Sequence, residues 1–241
     1  MIHPRAYYND SDRYVCEWLD NLQRDGAIAP GDIDCRSIED VNPNDLKGYT
    51  QCHFFAGIGG WSLALRMAGW PDDEPVWTGS CPCQPWSKMG RRRGVEDSRN
   101  LWPAWFRLIR ERMPTTIFGE QVAGAGHWLD IAFSDLEGVG YACAAADLPA
   151  ACEGAPQNRP RIWFVSDAPR ERRRTRLCQT TAQRYRTKPA DCITWPAKPS
   201  VPDVANGVSR AVDFNRALGN AIVPAVGARF IAAFDAAVSS K

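Results

Sequence analysis

The chain reads as an α/β fold with a mostly parallel sheet, and three observations carry that reading. Short apolar runs alternate with amphipathic segments over most of the length, the pattern of strands joined by crossover helices. One such run, Gln51-Cys52-His53-Phe54-Phe55, leads directly into Gly57-Ile58-Gly59-Gly60 and a helical stretch. Another, Val76-Trp77-Thr78, empties into a proline-bounded turn, Cys81-Pro82-Cys83-Gln84-Pro85, where a cysteine is held on a fixed backbone.

In chain order, Ala6-Tyr7-Tyr8-Asn9 is a short strand. Asp10 or Ser11 caps the helix that follows, Val15, Trp18, Leu19 and Leu22 form its i, i+3, i+4, i+7 stripe, and Gly26 ends it. Residues 28–33 are a strand interrupted by Pro30-Gly31, and Asn42-Pro43 opens a helical turn through Leu46. After the glycine turn, residues 61–68 form a helix ended by Gly69; glycines at such a turn let a ligand approach the helix amino terminus. Trp102, Trp105, Phe106, Leu108 and Ile109 stripe a further helix as core. Residues 115–118 are a buried strand delivering Glu120, 128–136 a helix, 141–146 and 162–165 strands, and 219–238 a closing helix with Pro224 near its start. Residues 168–208 break the pattern with arginines followed by Trp195-Pro196, Pro199 and Pro202. The expected division is a catalytic domain from 1–167 plus 209–241 and a small basic lobe at 168–208.

With 241 residues, 44% apolar and 24% charged, the chain has ample material for one large core. The net charge of +1 conceals an uneven distribution. Residues 1–50 carry ten acids against five bases, whereas 170–188 carry seven arginines and one lysine against Glu171. Such a local cluster is either a nucleic-acid footprint or a solvated charge run. The nine cysteines are scattered without a Cys-x-x-Cys pair, which argues for reduced thiols and against a zinc site. No signal-peptide layout opens the chain and no run is long enough to span a bilayer, so a cytoplasmic protein is expected.

Pro82-Cys83-Gln84-Pro85-Trp86-Ser87 resembles the catalytic signature of the DNA cytosine-5 methyltransferases. Four more blocks resemble that family: Phe55-Ala56-Gly57-Ile58-Gly59-Gly60, Glu120-Gln121-Val122, Gln157-Asn158-Arg159-Pro160-Arg161 and Gly219-Asn220-Ala221. The resemblance covers residues 8 to 230. It implies a Rossmann-like S-adenosylmethionine-dependent methyltransferase fold with a small target-recognition lobe. It also implies methyl transfer from S-adenosylmethionine to C5 of cytosine in double-stranded DNA, on a base flipped out of the duplex.

The residue roles that the resemblance implies are these. Cys83 is the nucleophile, Glu120 the acid or hydrogen-bond partner at N3, Arg161 a contact to O2, and Arg159 an assistant at the site or its backbone. Taken alone, Cys83 could be a packing thiol, and the bland reading of Glu120 is a surface acid at a strand end. Phe55, Gly57, Gly59, Pro82 and Asn220 would face the cofactor. The flap after the cysteine, with Gln84, Ser87, Arg91, Arg92 and Arg99, and the lobe arginines Arg172, Arg173 and Arg174 would meet DNA, largely through phosphates. A cognate restriction endonuclease is a partner the resemblance allows, and a monomer is expected. RNA cytosine methylation, or DNA binding by a decayed relative, are the alternative readings.

One departure from the family stands out. Its ribose- and adenine-binding acidic blocks lie between the glycine loop and the cysteine, yet Gly57 and Cys83 are only 26 positions apart. Both blocks instead resemble segments ahead of the loop: Asn9-Asp10-Ser11-Asp12 for the ribose, and Gly31-Asp32-Ile33 for the adenine. The expectation is therefore a transposed order, with Asp10, Asp32 and Ile33 at the cofactor. Asp10 is shorter than the usual Glu. The right-handed crossover rule further predicts that helix 61–68, now leading to the cysteine strand, changes sheet face.

Overall fold

The computed structural model describes residues 6–82, 100–155, 158–169 and 220–239. Seven strands form one sheet: β1 (Ala6–Asn9), β2 (Gly31–Asp34), β3 (Gln51–Phe54), β4 (Val76–Gly79), β5 (Thr116–Val122), β6 (Ala142–Pro149) and β7 (Pro160–Asp167). Helices among the described residues include α1 (Arg13–Arg24), α2 (Gly60–Met67), α3 (Trp102–Arg112), α4 (Gly126–Gly138) and α5 (Pro224–Ser239), with short 3-10 turns at Ile38–Asp40, Pro43–Leu46 and Ala150–Glu153. None of the described helices is long and apolar enough to cross a membrane.

The spatial order is β2-β1-β3-β4-β5-β7-β6. The first five strands are parallel, and β7 runs antiparallel between β5 and β6. The transposition is thus met in space. Counted by place rather than by sequence, β3 is the central strand, β1 and β2 step outward from it on one side, and β4 and β5 step outward on the other. That is the 3-2-1-4-5 arrangement of a doubly wound sheet.

Register decides which side chains share a face. Tyr8, His53, Thr78 and Phe118 stand in line across β1, β3, β4 and β5, and Tyr7, Cys52, Trp77 and Ile117 in line on the other side. The first face is covered by α1, α2 and α5. Val15 and Leu19 of α1 pack with Ala6 and Tyr8, and Trp61 of α2 meets Phe118 and Trp163 at ring distances of 6.3 and 5.4 Å. Phe230 and Phe234 of α5 complete that layer against Phe118. The second face carries α3 and α4, whose Trp105, Leu108, Trp128 and Leu136 are buried with Phe54, Ile117 and Phe164. Packing there is close enough to dictate glycine at 119, where a Cβ would stand 2.0 Å from the Phe164 ring.

Here the sequence expectation for the helix after the glycine loop fails. The unit β1-α1-β2 moves toward one sheet edge with its helix on the first face, and β4-α3-β5 moves toward the other edge with its helix on the second. These two share one hand. The unit β3-α2-β4 also moves toward the second edge, yet α2 stays on the first face beside α5, so its crossover has the opposite hand. The physical reason lies in α2 itself. Its Trp61, Ala64 and Leu65 are buried against Phe118, Trp163 and Val226, an apolar bed that exists only on that face. The return segment from Ala68 to Pro75 is pinned by an Arg66–Asp72 ion pair at 2.6 Å and by Gln51 Nε2 donating to the Pro71 carbonyl at 3.0 Å.

Smaller differences concern boundaries and one sulfur pair. Strand β2 begins at Gly31 rather than at residue 28. The closing helix starts at Pro224, where a missing N–H costs nothing, rather than at residue 219. Strands β6 and β7 are longer than expected because they pair as an antiparallel hairpin. Cys16 and Cys35 are joined as a disulfide, against the expectation of thiols throughout.

Candidate active site

Five segments converge at the carboxyl ends of the parallel strands: the turns after β1, β3 and β4, the end of β5 and the start of β7. Strand β7 runs antiparallel, so its amino end reaches the same edge as the end of β5, with Arg161 paired opposite Val122 and Trp163 opposite Glu120. Glu120 is buried, and its Oε1 receives Arg161 Nε at 2.8 Å. Burial pushes the Glu120 carboxyl above the ordinary range, while Arg161, Arg159 and a hydrogen bond from Ser80 pull it down. Arg159, which adopts a left-handed backbone with φ of 38°, donates from Nη2 to the Ala221 carbonyl at 2.8 Å. It ties the start of β7 to the turn before α5, and burial lowers its own pKa.

The turn after β4 is held from below. Gln121 Nε2 donates to the Cys81 carbonyl at 3.1 Å, and the Cys81 side chain is buried in the second-face core. Pro82 follows, half-buried, and the next residue is Cys83. Cys83, Gln84, Ser87, Arg91, Arg92, Arg99, Arg172, Arg173 and Arg174 lie outside the described residues, as does nearly all of the stretch 168–208 expected to form a separate lobe. The described residues therefore bring together Glu120, Arg159 and Arg161, while Pro82 follows the buried Cys81 in the turn after β4.

The glycine loop leaves β3 through Phe55, Gly57 and Gly59, with φ of 50°, 52° and 75°. Gly57 has open space where a Cβ would point, and its N–H donates to Asp10 Oδ2 at 2.9 Å. The other carboxylate oxygen of Asp10 accepts the Asp12 N–H at 3.0 Å. Asp10 thus clamps its own turn to the loop across the β1–β3 boundary, which its short side chain permits. A narrow cleft runs along the loop and is lined by Phe55, Gly57, Trp61, Ser80 and Asn220 among others. Ile33 packs on the first face, whereas Asp32 turns to the second and accepts from the Tyr49 hydroxyl. A backbone cradle at a helix amino terminus, an open Cβ position and acidic side chains on the adjacent strands fit a nucleoside-bearing cofactor.

Three participants escaped the sequence reading. Ser80 and Trp61 each lie beside a recognised block, Ser80 two residues before Pro82 and Trp61 directly after Gly60. Only the β3–β4 pairing brings them together, with Trp61 Nε1 donating to Ser80 Oγ at 3.0 Å. Tyr49 precedes β3 and had no pattern to mark it as a partner of Asp32.

The family model for C-5 cytosine-specific DNA methylases matches residues 71–207. Type II methyltransferase M.NgoMIV of Neisseria gonorrhoeae is 36% identical over 163 residues, covering 49% of this chain and 51% of that protein. Type II methyltransferase M.HhaI of Haemophilus parahaemolyticus is 27% identical over 168 residues, covering 52% and 51%. The chain thus spans about half the length of these relatives. Among solved structures, a putative DNA modification methyltransferase encoded within a prophage of E. coli aligns with a TM-score of 0.47 at 19% identity, covering 69% of this chain and 41% of that one.

Proposed function

The chain belongs to the C-5 cytosine-specific DNA methylase family, and from that premise we propose that it transfers a methyl group from S-adenosylmethionine to C5 of a cytosine in double-stranded DNA. The observation that supports this most is the pairing of buried Glu120 with half-buried Arg161 at the carboxyl end of β5, on neighbouring strands that share an edge with the end of β4 ahead of Cys83. Cytosine C5 is a poor nucleophile on its own. Addition of the Cys83 thiolate to C6 makes C5 enamine-like, and loss of the C5 proton after transfer expels the thiol. Charge developing on the ring falls on N3 and O2, where Glu120 can hold or move a proton and Arg161 can donate. The donor, when bound, supplies an electrophilic methyl on a sulfonium. Phe55, Gly57, Gly59 and Asn220 would seat it, with Pro82 behind, and Asp10, Asp32 and Ile33 at its nucleoside.

A base inside a duplex hides C5 and C6, so the target must be flipped out. Gln84, Ser87, Arg91, Arg92 and Arg99 of the following segment, and Arg172, Arg173 and Arg174 of the lobe, would then hold the DNA. Phosphate contacts of this type predict binding that weakens steeply with salt.

DNA containing 5-fluorocytosine tests the reaction, because fluorine cannot leave as the C5 proton does. A denaturation-resistant protein–DNA adduct that requires S-adenosylmethionine and is lost in Cys83→Ala is expected. No adduct from folded wild-type protein would overturn the reading, and an adduct on matched RNA alone would move the substrate to RNA. A second reading, a DNA binder that no longer methylates, draws on Asp10 and Asp32, whose carboxylates are engaged by Gly57, Asp12 and Tyr49. Calorimetry with S-adenosylmethionine separates the two.

A further inference from the structure

Arg159 stands just before β7 with a left-handed backbone, φ of 38°, which residues other than glycine rarely adopt. Contacts on both sides hold it there. Its carbonyl accepts the Ala150 N–H at 3.3 Å across the β6–β7 hairpin, and its Nη2 donates to the Ala221 carbonyl at 2.8 Å. Asn220, Ala221 and Ile222 precede α5, and all three line the narrow cleft along the glycine loop. They lie directly against that loop, because a Cβ at Gly60 would stand 2.7 Å from Ile222 Cγ1. Segment 220–222 is thus caught between the first residue of α2 and the guanidinium of Arg159.

From this arrangement we infer that Arg159 is a positioning residue for the cofactor cleft, holding segment 220–222 against the glycine loop before any DNA is bound. The inference rests on the reading of that cleft as the seat of S-adenosylmethionine and deepens it. A guanidinium bonded to a neutral carbonyl is a charge-assisted contact, stronger than a neutral one. Helix α5 has anchors of its own: Phe230 and Phe234 pack on Phe118, and Arg229 forms an ion pair with Glu153 in the 3-10 turn after β6. Loss of the Arg159 bond therefore frees the segment locally and leaves the helix in place. Arg161, two positions on, bonds to Glu120 at 2.8 Å instead. The direct bonds of the two arginines thus serve opposite sides of the site, Arg161 the base and Arg159 the cofactor.

Calorimetry of the full chain with S-adenosylhomocysteine, in the absence of DNA, tests this. Arg159→Met, which keeps most of the length and removes the donors, should weaken binding about tenfold, the scale of one hydrogen bond from a charged group. Arg159→Lys, one atom shorter but still a cationic donor, should lose less. In methyl transfer, the KM for S-adenosylmethionine should rise in the same order. An arginine that served the flipped base alone would leave the DNA-free affinity at the wild-type value and lower only kcat. That result overturns the proposal, as does a loss in Arg159→Lys equal to that in Arg159→Met. Should Arg159→Met not fold, Arg159→Gln, two atoms shorter than arginine, takes its place, and wild-type affinity in that variant overturns the proposal equally. Wild-type protein that binds no S-adenosylhomocysteine would instead defeat the reading of the cleft, and the inference with it.

Discussion

Cys81 and Cys83 are separated by one proline, but their surroundings assign them different work. The Cys81 sulfur is buried in the second-face core and its carbonyl is held by Gln121, so it anchors the turn. Cys83→Ala should abolish turnover and adduct formation, while Cys81→Ala should keep most of the turnover; equal loss in both would contradict this separation of roles. Gln121→Ala removes the side-chain donor to the Cys81 carbonyl, and a cost of about 0.5–1.5 kcal/mol in urea unfolding is expected. Asp32→Ala should weaken S-adenosylmethionine binding with little change in fold, read by calorimetry; unchanged affinity would place the adenosine elsewhere. Glu120 and the arginines of the β7 turn were legible in the sequence because each belongs to a block of several characteristic residues. Ser80 and Trp61 were not, since a bond between side chains 19 positions apart depends on strand order, which no local pattern encodes.

At the level of the element, alternation and glycine placement located the strands and helices to within a few residues. What they could not supply was the face of α2. The rule that crossovers are right-handed is a statement about chains entering a twisted sheet. In this chain the order of the segments is changed while the apolar surfaces that must be covered are not. The bed made by Phe118, Trp163 and α5 holds α2 where a helix between the central and inner strands would otherwise lie, and the connection takes the less common hand. The return segment then carries the demand for specific contacts. Trp70, 8% exposed, packs edge-on to Phe118 at 5.7 Å and donates to the Glu74 carbonyl. Trp70→Ala should cost about 3–5 kcal/mol in denaturant unfolding, as for a buried aromatic elsewhere. A loss under 1 kcal/mol would mean that the segment does not fix the crossover.

For the molecule as a whole, the transposed segments are reconciled by a sheet whose ligand-facing edge is set by space rather than by sequence order. The same sheet carries a buried carboxyl, Glu120, and a buried imidazole, His53, whose shifts act on stability in opposite senses. His53 is buried between Tyr8 and Thr78, with Nδ1 bonded to Thr78 Oγ1 at 2.8 Å, and burial lowers its pKa from 6.5 to about 3. Between those values the unfolded chain binds the proton and the folded chain does not, so stability rises with pH across that window. Glu120 is raised above 4.5, so the folded chain keeps a proton that the unfolded chain has lost, and stability falls as pH rises above 4.5. Just above 4.5 the two slopes oppose each other. Below 4.5 His53 acts without that opposition, and Asp34, held low by Arg36 and Tyr7, adds to the loss on acidification. The expected profile of unfolding free energy rises less steeply just above 4.5, where the raised Glu120 carboxyl opposes His53, and falls toward pH 3, with each proton able to contribute at most about 1.4 kcal/mol per pH unit. Glu120→Gln should steepen the rise just above 4.5, and His53→Gln should flatten the acid limb. A profile unchanged by His53→Gln would mean that the imidazole is not neutral in the folded core.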